Sequence, residues 1–147
     1  FGSYDVTVDD KGRIMIPVKL REEINADCEG NLVMGQTFRA NCVSIYSNHE
    51  FKRIRDKLYR NRNSSVHYQD IMRTVVGTAQ DCAMPKSGRI LIPRQLRTFN
   101  SVHGDAVLIG MGNRIELWDL ERWQEHHKAV NDSDTDAYDK VLKKFDF

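Results

Sequence analysis

Cysteine, proline and net charge are all scarce in this chain of 147 residues. The three cysteines, Cys28, Cys42 and Cys82, are odd in number and lack C-x-x-C spacing. That argues against a disulfide framework and against a thiolate zinc site. Reduced thiols in a cytosolic protein are the expectation. No apolar run approaches a membrane span, and no charged-then-apolar leader opens the sequence. G-x-S-x-G, H-E-x-x-H, a P-loop and a strand-linked G-x-G-x-x-G are all missing. His49, His67, His103, His126 and His127 have no metal-like partner set, and His126 and His127 point to different sides of a helix. The chain is therefore read as a non-enzyme with no cofactor and no metal.

Net charge is only +1. It is unevenly spread. Residues 1–62 hold eleven Lys/Arg against nine Asp/Glu, residues 63–130 eight against seven, and residues 131–147 three against five. A nucleic-acid surface would have to come from local clustering.

What the sequence does have is a repeat. Val6 to Arg21 (VTVDDKGRIMIPVKLR) recurs as Cys82 to Arg97 (CAMPKSGRILIPRQLR), offset by 76, with seven of sixteen positions identical. Each copy reads as strand, tight turn, strand and helix start. The turns are Asp9-Asp10-Lys11-Gly12 and Pro85-Lys86-Ser87-Gly88, each with a glycine available for positive φ. After the turn, Ile14 and Ile16 point to one side of a strand while Arg13 and Met15 point to the other. Pro17 and Pro93 are expected at the first helical position.

The later segments repeat in the same order. Leu32–Met34 and Cys42–Tyr46 read as strands, matched by Val107–Gly110 and Ile115–Trp118. Glu22 to Gly30 reads as helix end and turn. Ser47 or Asn48, and later Asp119, read as helix caps. A polar break at 61–65 precedes a linking helix with Ile71, Val75 and Val76 on its apolar side. Tyr138, Val141, Leu142 and Phe145 make an amphipathic tail helix. The divisions are 1–62, 63–78, 79–130 and 131–147.

Arg13 and Arg89 follow the turn glycines, with Lys11 and Lys86 close by. An arginine fork can grip phosphate or guanine, and a two-stranded ribbon fits the major groove. The alternative is that Arg13 pairs with Asp9 and merely pins the hairpin, a contact worth little if exposed. Arg21 and Arg97, a turn into each helix, read either as phosphate contacts or as helix-surface ion pairs with Glu22 or Glu23. Trp118, Trp123, Phe51 and Tyr46 read as core rather than stacking platforms.

These motifs, D-x-K-G-R-I-x-I-P-x-x-x-R and its second copy, together with Val107–Gly110, Arg114–Asp119 and Trp123, resemble the MraZ family. The likeness covers nearly the whole chain. It implies an α+β, β-rich fold of duplicated SpoVT/AbrB-like swapped-hairpin barrel units with pseudo-twofold symmetry, each followed by a helix. It further implies a DNA-binding transcriptional regulator, cytoplasmic and nucleoid-associated. Such a regulator forms a ring of many subunits on repeated promoter boxes of its own division and cell-wall gene cluster. Lys11, Arg13, Lys86, Arg89, Arg21 and Arg97 are the expected DNA-binding residues. Asp9, Gly12 and Gly88 shape the loops. The family's opening Asp is Asp9 in copy one, whereas Pro85 stands there in copy two. A different reading of the same units is an antitoxin-like module whose tail, residues 131–147, binds a partner protein.

Overall fold

A computed structural model describes residues 1–146. The strands are β1 (Gly2–Val8), β2 (Arg13–Met15), β3 (Asn31–Gln36), β4 (Val43–Ser47), β5 (Gln80–Ala83), β6 (Arg89–Leu91), β7 (Gly104–Gly110) and β8 (Ile115–Asp119). The helices are α1 (Val18–Cys28), α2 (Asn48–Arg60), α3 (Tyr68–Val75), α4 (Arg94–Asn100), α5 (Leu120–Asn131) and α6 (Asp136–Leu142), with a 3₁₀ turn at Lys143–Phe145. The class is α+β, and every described strand pairing is antiparallel.

The two sequence copies interleave. One sheet runs β1-β7-β8-β4-β3-β5 and a second pairs β2 with β6. The first strand of copy one thus lies on β7 of the second half, and β5, the first strand of copy two, lies on β3 of the first half. The two second strands meet each other. One hydrophobic cluster draws on both copies, with Ile14, Ile16, Leu20 and Ile24 packed among Ile90, Ile92, Leu96 and Leu108.

Burial periodicity explains the elements. In α1, Leu20, Ile24 and Cys28 recur every four residues and face this core. Each large aliphatic side chain removed from water here contributes about 1.5–3 kcal/mol. The same stripe carries α1 through Cys28, and the helix end and turn expected over Glu22 to Gly30 follow as the last turns of α1 and a turn at Glu29 and Gly30. Leu32, Val33 and Met34 are all buried because both faces of β3 are covered. Leu32 and Met34 face the central cluster, while Val33 packs with Tyr46 and Phe51 beside α2 and α3. On the other half, Trp118 and Val107 pack with Cys42 and, at the edge, Trp123 of α5. Burial there pushes the Cys42 thiol up to about 12, which leaves it inert at neutral pH.

The caps behave as polar side chains before an apolar run should. The Ser47 hydroxyl accepts from the Glu50 N–H at 3.1 Å, and the Asp119 carboxylate accepts from the Arg122 N–H at 3.4 Å. Pro17 and Pro93 sit one residue earlier than expected, as N-caps with ψ of 144° and 138°. Their carbonyls accept the first helical bonds, from the Arg21 and Arg97 N–H groups. The extended ψ is what lets the chain leave a strand and enter a helix without an intervening loop. In the linking segment, Tyr68 is buried, and Ile71, Val75 and Val76 are half-buried. In α6 and the 3₁₀ turn, Tyr138, Val141, Leu142 and Phe145 are all exposed.

Candidate nucleic-acid interface

The two hairpin turns have the same backbone frame. In each, the glycine N–H closes the turn on the carbonyl three residues back, Gly12 on Asp9 and Gly88 on Pro85, both at 2.9 Å. Both glycines sit at positive φ, +84° and +75°, where a side chain is strained.

The halves then lock across each other. The Ile16 N–H donates to the Gly88 carbonyl at 2.8 Å, and the Ile92 N–H donates to the Gly12 carbonyl at 2.9 Å. Between these bonds lies the β2–β6 ribbon, with Arg13 opposite Leu91, Ile14 opposite Ile90 and Met15 opposite Arg89. Ile14 and Ile90 are buried, so the pleat turns Arg13, Met15, Arg89 and Leu91 outward on one face. The turn lysines Lys11 and Lys86 are exposed at opposite ends of this ribbon.

The two loops differ in how their arginines are held. The Asp9 carboxylate accepts from the backbone N–H groups of Lys11 and Arg13, each at 2.9 Å, and pairs with the Arg13 Nε at 3.2 Å. The Arg13 N–H above all, then the Lys11 N–H and the Arg13 guanidinium, hold the Asp9 carboxyl below its usual value. The expected pin between Arg13 and Asp9 is therefore present, on a half-exposed pair of small energetic worth. In copy two, Ser87 Oγ accepts from the Arg89 N–H at 3.4 Å. Among the described residues the Arg89 guanidinium is in no ion pair.

Arg21 and Arg97 are engaged inward. The Arg21 Nε donates to the Ile16 carbonyl at 2.8 Å, and its Nη1 donates to the Ser87 carbonyl at 3.2 Å. The Arg97 Nε donates to the Ile92 carbonyl at 2.9 Å. Arg21 lies against Gly88 and Arg97 against Gly12, so close that a Cβ on either glycine would collide with the arginine. The ion pair with Glu22 or Glu23 is not formed among the described residues. The geometry accounts for both arginines as clamps between the halves.

Of the expected site residues, the fold thus gathers Lys11, Arg13, Lys86 and Arg89 on one ribbon and its two turns. Met15 and Leu91 share that face. Period-two alternation already put Met15 beside Arg13, but only the strand pairing shows Leu91 completing the patch. A cleft of about 610 Å³ includes Glu23, Asp27 and Glu50 in its wall and none of the hairpin residues.

Comparison with known proteins finds likeness along nearly the whole chain. A family model described as "MraZ protein, putative antitoxin-like" matches twice, over residues 1–73 and 75–145. A protein of Nitrosomonas europaea named transcriptional regulator MraZ is 38% identical over 83% of this chain and 82% of its own. One of the same name from Caldanaerobacter subterraneus is 35% identical over 88% of this chain and 87% of its own. A third, from Frankia alni, is 33% identical over 96% and 95%. On the double family match and these near full-length relatives, the chain belongs to the MraZ family.

Proposed function

We propose that this protein is a transcriptional regulator that binds double-stranded DNA in a sequence-specific way through the β2–β6 ribbon and its two turns. The observation that carries this reading is the gathering of Lys11, Arg13, Lys86 and Arg89 on the β2–β6 ribbon and its two turns, in a chain whose net charge is only +1. The name its relatives carry, transcriptional regulator, supports the same reading. Arg13 and Arg89 have the fork that grips guanine or phosphate, and Lys11 and Lys86 supply point charges for the backbone. Arg21 and Arg97 act behind them as positioning residues.

One such surface gives weak, salt-sensitive binding, on the order of 10⁻⁴ to 10⁻⁶ M off target. Several surfaces at fixed spacing raise avidity without new contacts. We therefore assign the protein a closed homo-oligomeric ring acting on repeated boxes in the promoter of its own division and cell-wall gene cluster. Its place is the cytoplasm, at the nucleoid.

The test is fluorescence anisotropy with the duplex upstream of its own coding region and a shuffled duplex, at two salt concentrations. Wild type is expected to prefer the native duplex. Arg13→Ala/Arg89→Ala should lose that preference while keeping its mass by light scattering. Equal binding of both duplexes by wild type overturns the reading.

A second reading, an antitoxin-like module that binds a partner protein, is favoured by the exposed apolar residues of α6 and the following turn. Co-purification of a small protein, lost on deletion of residues 131–147, would establish it.

A further inference from the structure

We infer that Met15 and Leu91 are specificity residues that pack on thymine methyl groups in the DNA major groove. This inference rests on the DNA-binding reading above. It starts from a coincidence of position. Met15 is 40% exposed and Leu91 55% exposed, at duplicated positions that end the two paired strands, on the same face as Arg13 and Arg89. Their sequence neighbours Ile14, Ile16, Ile90 and Ile92 are at most 2% exposed. Solvent is not an obvious environment for two large apolar side chains flanked by four cations.

The ribbon's dimensions identify the occupant. Ile16 is four positions on from Gly12 and is hydrogen-bonded to Gly88 of the other turn. At about 3.3 Å per residue the two turns stand about 13 Å apart. That matches the major groove, about 12 Å wide, which admits a two-stranded ribbon. Lys11 and Lys86 then reach phosphates on either rim, and the outward face of the ribbon lies toward base edges. Cross-strand pairing puts each cation beside an apolar group, Arg13 with Leu91 and Arg89 with Met15.

Such a pair is suited to two adjacent features of the groove. Arginine donates to O6 and N7 of guanine, and an aliphatic or thioether group packs on the thymine C5-methyl. A purely hydrophobic partner would not tolerate Lys11, Arg13, Lys86 and Arg89 around the patch. With Asp9 paired to Arg13 and Asp10 in the same turn, four cations against two carboxylates leave about +2 on the ribbon and its turns, which favours a polyanion with apolar spots at its reading edge over a second copy of this chain. The site is pseudo-twofold, with the Ile14–Ile90 pair at its centre, so two guanine–thymine features of opposite strand sense fit it best.

The experiment pairs a change in the protein with a change in the DNA. Wild type and Met15→Ala/Leu91→Ala are titrated, at full oligomeric mass, against the native upstream duplex, the same duplex with deoxyuridine replacing every thymidine, and a shuffled duplex. Loss of one buried methyl contact is worth about fourfold in affinity. Wild type is expected to lose at least that factor on the deoxyuridine duplex, while the double variant binds the thymidine and deoxyuridine duplexes equally. An equal loss for both proteins, or no loss for wild type, overturns the inference even if the native duplex is still preferred over the shuffled one. A change in the variant's mass with unaltered DNA preference assigns the patch to subunit contact instead and likewise overturns it. Absence of any native preference in wild type removes the DNA reading itself, and this inference with it. Both side chains are exposed, so thermal melts of the variant should match wild type and keep the comparison free of unfolding.

Discussion

Arg97 occupies the space that a side chain on Gly12 would need, and Arg21 does the same at Gly88. Each arginine belongs to the copy opposite its glycine. The contact is therefore a reciprocal clamp in which the helix of one half braces the hairpin turn of the other. Two independent costs attach to filling either glycine: strain at φ of +84° or +75°, and displacement of a guanidinium from its backbone carbonyl. Gly12→Ala and Gly88→Ala should each destabilise the fold by about 1–3 kcal/mol. Urea unfolding checks this, and a midpoint within error of wild type for either variant would contradict it.

The same clamp separates two classes of arginine by stability. Arg21→Ala and Arg97→Ala remove charge-assisted donors to the Ile16 and Ile92 carbonyls and should cost about 1.5–3 kcal/mol each. Lysine at these positions should restore little, because its ammonium cannot copy a planar fork lying flat on a glycine. Arg13→Ala and Arg89→Ala, in contrast, should change stability by less than about 1 kcal/mol, since the Arg13–Asp9 pair is half-exposed and Arg89 has no acidic partner among the described residues. Denaturation curves of the four variants, run side by side, decide whether the division holds.

Much of this was legible in the sequence, and what was not has a physical cause. Alternation placed Ile14 and Ile16 inside and Arg13 outside, and the polar residues Ser47 and Asp119 marked two helix starts, because these are local rules of pleat and cap. The duplication itself gave the order of elements. Interleaving came only with the family resemblance, which implies swapped hairpins, since the pairing of β1 with β7 and of β5 with β3 links residues 46 to 108 positions apart and no local period encodes it. Arg21 was misleading for the same reason. Beside Glu22 and Glu23 it reads as a surface ion pair, while its actual partners, Ile16 and Ser87, are a backbone group next door and one 66 residues away.

Asp9 makes the first hairpin sensitive to acid. Its folded carboxyl titrates below the usual 3.8, chiefly through the Arg13 and Lys11 N–H groups, and the unfolded chain restores the usual value. The stabilisation is thus complete above 3.8 and is lost as pH falls through the lower, folded value. The melting-temperature gap between wild type and Asp9→Ala should stay constant from neutral pH down toward 4 and close below it. A gap that persists unchanged into strong acid would show that the effect of Asp9 does not come from its ionised form.

Pro85 is where the two hairpins part. The Asp9 N–H donates to the Arg13 carbonyl at 2.9 Å, whereas proline has no N–H to give Arg89 and no carboxylate to receive its guanidinium. Copy two consequently holds its arginine by fewer contacts, and its turn carries no carboxylate where copy one has Asp9 and Asp10. Pro85→Asp should rebuild the Asp9 arrangement, with the new carboxylate accepting from the Ser87 and Arg89 N–H groups and neutralising Arg89. On DNA this removes about one positive charge from the reading face, so the slope of log K against log salt should become shallower by up to about 0.9. Arg89→Ala should shift the slope by the same amount, and the double variant Pro85→Asp/Arg89→Ala should add little further. Additive losses would mean that the introduced carboxylate repels DNA directly rather than acting through Arg89. Anisotropy titrations over a salt series distinguish the two outcomes.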